Sequence, residues 1–336
     1  PALAGLLLAV GGWRFVFAVQ LPLTALALAV GWSTLPGTRR RPTAISTDWV
    51  GVALISSIVA LSLAAVGQIG VRWPIAGAAA GLAVVSGAVY WHHAGQVKDP
   101  ILARSHITRF PLGWLHITAG AVLIAGLAVS NYLPLYVQLT RERSIEFAAF
   151  SITFLSIGWT AGSFIFSRLL SKWRESAVIL LGASLSVPSL AATGFLVARE
   201  QSLALILGTF VFVGVSVGLT STAAQTFLQA ASDEAEMGRV NAAHQFVRNL
   251  SITLAVALGG AVILSIVEVR VGDVETVRGV LAGAKTSVGP ATMDAVGEGL
   301  AWAHLPSLAV ALTGLFVAIS LIRRENAHSS LERSNQ

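Results

Sequence analysis

The sequence has no cysteine among its 336 residues, which excludes disulfides, thiolate metal sites and thiol nucleophiles. It is also poor in charge. Only 11% of its residues are Asp, Glu, Lys or Arg, against roughly 25% in an ordinary soluble domain. With 55% hydrophobic residues and a mean hydropathy of +0.75, a soluble fold is excluded, because it could not hide that much apolar surface. All sixteen acidic residues fall in polar breaks or within a few residues of an apolar run's end, so no run carries a carboxylate at its centre. No Gly-rich phosphate loop followed by Lys and Ser or Thr occurs, which disfavours ATP as a driving force. Nor do a nucleophile, an acid and a base gather at one depth, so the sequence reads as neither an enzyme nor a cofactor protein.

What the sequence does have is long apolar blocks. A helix crosses the hydrocarbon core in about 20 residues at 1.5 Å each. Runs between charged or Pro/Gly-rich breaks predict a partial span at 2–11 and complete ones at 15–33, 49–69, 74–92, 111–137, 147–168, 177–198, 203–228, 241–267 and 303–322. The expected fold class is therefore an all-α membrane protein, a helical bundle of nine complete spans and one partial one. The first run lacks a charged leader and a cleavage site, so it does not read as a signal peptide.

The basic residues lie between the runs, which makes them topology signals and not a nucleic-acid stripe. One alternate set of loops, including Arg39, Arg40 and Arg41, the Arg168 to Arg174 segment and the residues after Arg323, carries thirteen Lys and Arg. The other set carries eight, three of them in the 268–302 segment. The richer set is expected to face the cytoplasm of a cell membrane, with the C-terminus inside. The 268–302 segment, with Glu268, Asp273, Glu275, Asp294 and Glu298, is expected to be an outer loop.

Several strings resemble one family. Pro1-Ala-Leu-Ala-Gly5, then Gly12-Trp13-Arg14-Phe15 and Leu21-Pro22, look like the junction of the fifth and sixth spans in the fourteen-span drug:proton antiporter branch of the major facilitator superfamily. Asn131-Tyr132-Leu133-Pro134-Leu135-Tyr136-Val137-Gln138 is similar to the ending of that branch's ninth helix. Asp48-Trp49-x-Gly51 and Asp99-Pro100 with Leu102 resemble its two extra central helices and their linker, and Gly238-Arg239-Val240-Asn241 with Arg248 the start of its thirteenth helix.

This resemblance implies a chain that opens in the fifth span, with residues 1–33 ending an N-terminal bundle. It assigns 34–110 to the two extra spans and linker, 111–324 to a C-terminal six-helix bundle and 325–336 to a cytoplasmic tail. It also implies a monomer in the lipid bilayer that exports small hydrophobic or cationic compounds against protons by alternating access. A carrier of another solute, such as a metabolite or lipid, and an inactive remnant are the alternatives.

Pro1, Gly5, Trp13, Arg14 and Pro22 are the antiporter-motif candidates, and Arg168 and Lys172 the gating candidates. At the gate the sequence departs from the family pattern. Ser167 to Arg174 keeps basic residues but lacks the loop's usual glycines and aspartate.

Polar groups inside the runs are the substrate-pathway candidates, because they are costly there. His244 and Arg248 are spaced i, i+4 and so share a helix face, with Gln245 beside them. His116 lies near the start of its run, and Asn131 and Gln138 near the other end. Trp159 and Phe164, with Gln225 and Thr226, suit an aromatic and amide-lined pocket for lipophilic cations. The string Trp91-His92-His93…Asp99…His106 matches no metal-ligand spacing and reads as an interfacial belt, so no metal is expected. Gly77/Gly81, Gly158/Gly162 and Gly214/Gly218 would let helices approach closely.

Overall fold

The computed structural model describes residues 2–34, 48–68, 72–272, 276–277, 279 and 288–334. Their regular structure is entirely helical: α1 (Ala2–Ala18), α2 (Gln20–Thr34), α3 (Trp49–Gly67), α4 (Trp73–His93), α5 (Arg104–Thr108), α6 (Leu112–Ser130), α7 (Leu133–Leu139), α8 (Ile145–Leu169), α9 (Glu175–Ala198), α10 (Leu203–Ala230), α11 (Met237–Val271) and α12 (Pro290–Ser334). Among the described residues, nine helical stretches are long and apolar enough to cross a membrane, beginning with Arg14–Thr34 and ending with Pro290–Ala327. That first stretch starts where α1 turns at Gly12, whose φ of 71° is left-handed backbone that a side chain would strain.

The chain passes back and forth, and α6 to α12 share one core built around α6, which is buried on almost every side. Between lipid-solvated helices there is no hydrophobic drive to associate, so small residues and polar ties must do the work. Where α8 crosses α10, Gly158 and Gly162 lie against Gly214 and Gly218. A Cβ on any of the four would collide with backbone of the facing helix, such as Val211 O or Leu155 O. Gly77 and Gly81 behave differently, since a Cβ at either meets open space. Of the three expected glycine pairs, two thus meet each other and the third meets nothing among the described residues.

The run expected at 111–137 is broken into α6 and α7 at Asn131-Tyr132. Pro134 has no N–H for the carbonyl one turn earlier, and three side chains hold the break. Ser130 Oγ donates to Gly126 O at 2.6 Å, Asn131 Nδ2 to Leu127 O at 2.8 Å, and Tyr132 Oη to Val256 O of α11 at 2.8 Å.

The expected outer loop at 268–302 is helical at both described ends. Residues 268–271 complete α11, which Gly272 closes with φ 72°, and α12 begins at Pro290, well before position 303. A reading by apolar runs stops at Asp294 and Glu298. The helix continues because its polar groups find partners: Arg270 Nε and Nη2 donate to Glu298 at 2.9 and 2.6 Å, and Thr140 Oγ1 to Met293 O at 3.0 Å. Asp273, Glu275 and Arg39 to Arg41 lie outside the described residues. At its other end α12 runs on through Glu325 to Ser334.

The α3–α4 hairpin leans on α11 through Tyr90, Ala94, Leu102 and Ala243, with Leu54, Ile55, Ile58 and Phe246 alongside. No residue of α2 is buried.

Candidate functional site

His116 on the first turns of α6 and His244 on the first turns of α11 are brought together at the same end of the bundle. Their rings stack with centroids 5.4 Å apart, and their Nδ1 atoms are 3.3 Å apart. Each residue is only 3% exposed. The other ring nitrogen of His116 lies 3.0 Å from the backbone oxygen of His106 in α5. A carbonyl only accepts, so His116 Nε2 carries the hydrogen. In the neutral ring Nδ1 is then a lone pair, and His244 Nδ1–H donates to it. α5 thus fixes the tautomer of both imidazoles. His106 itself is buried, and its imidazole is held below the ordinary histidine value chiefly by that burial, with Glu236 opposing and Arg239 and Arg109 assisting.

One turn beyond His244, Arg248 places its guanidinium 5.7 Å from the centroid of the Trp159 ring on α8. The Trp159 backbone lies against Gly214 and Gly218 of α10, and its half-buried side chain packs at the edge of the main core. The expected four-residue pocket does not form as a unit. Phe164 is 59% exposed and carries Arg168 across its ring at 5.0 Å. Gln225 is exposed and Thr226 Oγ1 donates to Thr222 O in its own helix at 3.0 Å. Gln245 is exposed and Gln138 half-buried. Asn131 serves the α6–α7 break.

The motif residues fare unevenly. Pro1 lies outside the described residues, as does the side chain of Trp13; Gly5 is in α1, and Arg14 and Pro22 are exposed. Arg168 and Lys172 are exposed at the α8–α9 turn. That turn does meet a carboxylate, from a distant part of the chain: Arg174 Nη2 lies 2.6 Å from Glu325 Oε1 on α12. Arg324 next to it covers the Trp114 ring at 4.7 Å.

The belt from Trp91 to His106 separates into structural pairs. His93 Nε2 is 2.7 Å from Asp48 Oδ1, and the same oxygen accepts from Gly51 N at 2.8 Å, capping α3. Burial works to raise the Asp48 carboxyl, but these bonds hold it below its ordinary value. Arg104 donates to Trp91 O and, at 3.2 Å, to His92 O, which also accepts from Gly95 N at 3.1 Å, at the end of α4. Tyr90 Oη joins both backbone groups of Leu102 at 2.9 Å. Asp99 pairs with Arg239 of α11 at 3.0 Å. The Asp99-Pro100 linker and the Gly238-Arg239 helix start, far apart in sequence, are therefore two halves of one contact.

The helix order, the motif contacts and this geometry agree with one family model, the Major Facilitator Superfamily, which matches residues 1–256. The chain belongs to that superfamily. Among curated relatives of this superfamily member are two from Mycobacterium tuberculosis (strains H37Rv and CDC 1551 / Oshkosh), each named a probable multidrug-efflux transporter. Each is 27% identical over 297 residues, covering 83% of this chain and 60% of the relative. A multidrug resistance protein B homolog from strain H37Rv is 25% identical over 239 residues, 67% of this chain and 44% of its own. The chain thus spans three-fifths or less of the length of these relatives. A solved structure of a bacterial homolog to the human lysosomal transporter Spinster, inward-facing and occupied, is 13% identical over 80% of this chain and 66% of its own, with a TM-score of 0.44.

Proposed function

We propose that this superfamily member works in proton-coupled export of small hydrophobic or cationic compounds by alternating access, as a carrier and not an enzyme. On this reading it is a monomer in the plasma membrane, with the His116–His244 end and the end of α12 facing the cytoplasm, as the surplus of Lys and Arg at that end favours. The fourteen-span arrangement, with α1 and α2 ending one bundle, α3 and α4 inserted, and α6 to α12 forming the second, belongs to the same proposal. The relatives that are named probable multidrug-efflux transporters support export.

The observation that carries the proposal is the buried His116–His244 pair. Among the described spans no carboxylate stands at the centre, so a proton carried by these helices needs another kind of group. The pair supplies a site. His244 Nε2 has no hydrogen-bond partner among the described residues, and a proton added there leaves the Nδ1–H···Nδ1 bond in place and strengthens it by charge. The new imidazolium stands one turn from Arg248, on the same helix face. Like charges at that spacing repel, so a proton on His244 adds positive charge beside Arg248 and the Trp159 ring and disfavours a cationic substrate there. Proton and cationic substrate then compete at one end of the bundle.

The test is efflux of ethidium from loaded proteoliposomes under an imposed proton gradient. His244→Asn should lower the gradient-driven rate at least tenfold, while downhill exchange of ethidium without a gradient continues. Efflux against a higher outside concentration of ethidium that persists after the gradient is collapsed, or gradient-driven efflux that is unaffected in His244→Asn, would overturn the assignment.

A further inference from the structure

A second feature lies at the opposite end of the bundle from the histidine pair. The last turns of α9, the first turns of α12, Tyr136 of α7 and the nearby Thr140 line a cavity of about 720 Å³, the size of a site for a drug-sized molecule, roughly 300–1,000 Å³. It is a slot running down α12. Asp294 and Glu298 stand at its mouth with Glu200 from the end of α9, and His304 lies deeper, about 15 Å from Asp294 at 1.5 Å per residue. Phe195 and Trp302 supply aromatic walls.

Every charged side chain lining the slot is a carboxylate. Glu298 is held by Arg270 and by Trp302 Nε1 at 3.3 Å, whereas Glu200 and Asp294 have no ion-pair partner among the described residues. Arg199 lies over the Phe195 ring at 5.6 Å and Arg141 is bound to Tyr136 Oη and Gln201 O. Neither of these arginines lines the slot.

The deep end holds the second, independent sign of a ligand. His304 is 4% exposed, and its Nδ1–H donates to Leu300 O at 2.8 Å. That bond makes Nε2 a lone pair, and Nε2 has no partner. A buried acceptor left unmet costs about 1–3 kcal/mol, so a residue of this kind in a membrane helix is expected to serve a ligand. Gly194 makes room for it, because a Cβ there would press on the His304 ring.

We propose that the α9–α12 slot is a binding site for an amphipathic organic cation, with its charge at Glu200 and Asp294, its apolar body between the helices, and a hydrogen-bond donor at its far end on His304 Nε2. The cation then lies as a snorkelling side chain does, charge at the interface and carbon below it. The site is separate from the histidine pair, and occupancy requires neither transport nor a proton gradient.

The test uses ethidium monoazide, a photoactivated monocation bearing a free aromatic amine, on the chain in phosphatidylcholine nanodiscs without a gradient. Label should map by mass spectrometry to 190–200 and 294–308 and be competed by excess ethidium. Glu200→Gln with Asp294→Asn should cut that label at least tenfold, and His304→Leu at least threefold, while Glu200→Asp with Asp294→Glu should retain it. Label found elsewhere, or undiminished in the neutral double variant, overturns the proposal. So does label that added phosphatidylethanolamine suppresses and ethidium does not, since the slot would then belong to a lipid. Because no transport is read, failure here leaves the export proposal standing, and failure of export leaves this one.

Discussion

Asp48 shows how much a single side chain can join. It caps α3 through Gly51 N and receives His93 from the far end of α4, so it closes the hairpin at its base. Its folded value is lowered from an ordinary 3.8; the contribution is therefore complete above that value and is lost as pH falls through the lower, folded one. Asp48→Ala should cost about 1 kcal/mol at neutral pH, the usual worth of a cap. The gap from the parent should narrow in thermal unfolding scans repeated in increasingly acid buffer, and a gap independent of pH would refute the charge contribution. Residue by residue, the sequence was legible where the neighbour is local. The His244 and Arg248 spacing needed only the helix period. The pairing of His116 with His244 crosses 128 positions, and no period links them; only the packing of α6 on α11 does. Trp159 and Phe164 are a different case, since residues five apart on a helix do not share a face and the helix period alone separates them.

At the scale of elements, the α8–α10 crossing is the contact most dependent on particular residues. Gly158→Leu or Gly214→Leu should destabilise the bundle by about 1–3 kcal/mol, the range for overpacking. Gly81→Leu, at a position open to the outside, should be nearly neutral. Thermal unfolding of the three variants side by side decides it, and equal losses would mean that the crossing is not the constraint. The glycine spacing alone did not separate these cases, because the same pattern occurs on a face that meets a helix and on one that does not. Helix ends were legible where an apolar run ended in a cap, as at Asp48 and Ser144, whose Oγ accepts from Phe147 N at 3.3 Å. They were not where charged residues found partners inside a continuing helix, as Glu298 does with Arg270.

For the molecule as a whole, composition was enough to announce a membrane bundle, since apolar blocks of spanning length leave little choice. The family was legible in the Asn131 to Gln138 string and the helix count. What the sequence concealed was the long-range ties, above all Arg174 with Glu325 in place of a carboxylate missing from the α8–α9 turn. Arg174 is 58% exposed on its side chain, so the pair is worth at most about 1 kcal/mol. Glu325→Gln should therefore leave thermal unfolding almost unchanged but speed hydrogen exchange at the head of α9; a large drop in unfolding temperature with no change in exchange would show a purely structural role.

Glu325 and the α9–α12 slot are also ends of one rod. α12 runs for 45 residues, roughly 67 Å at 1.5 Å each and about twice the thickness of the hydrocarbon core. Pro306 lies inside it, beside the deep end of the slot, where a missing N–H makes bending easiest. With that point as fulcrum, Glu325 sits on a lever arm of about 28 Å, and a swing of about 10° carries it about 5 Å. That is farther than any ion pair can stretch, so a modest wedge at one membrane surface would unlatch a contact at the other.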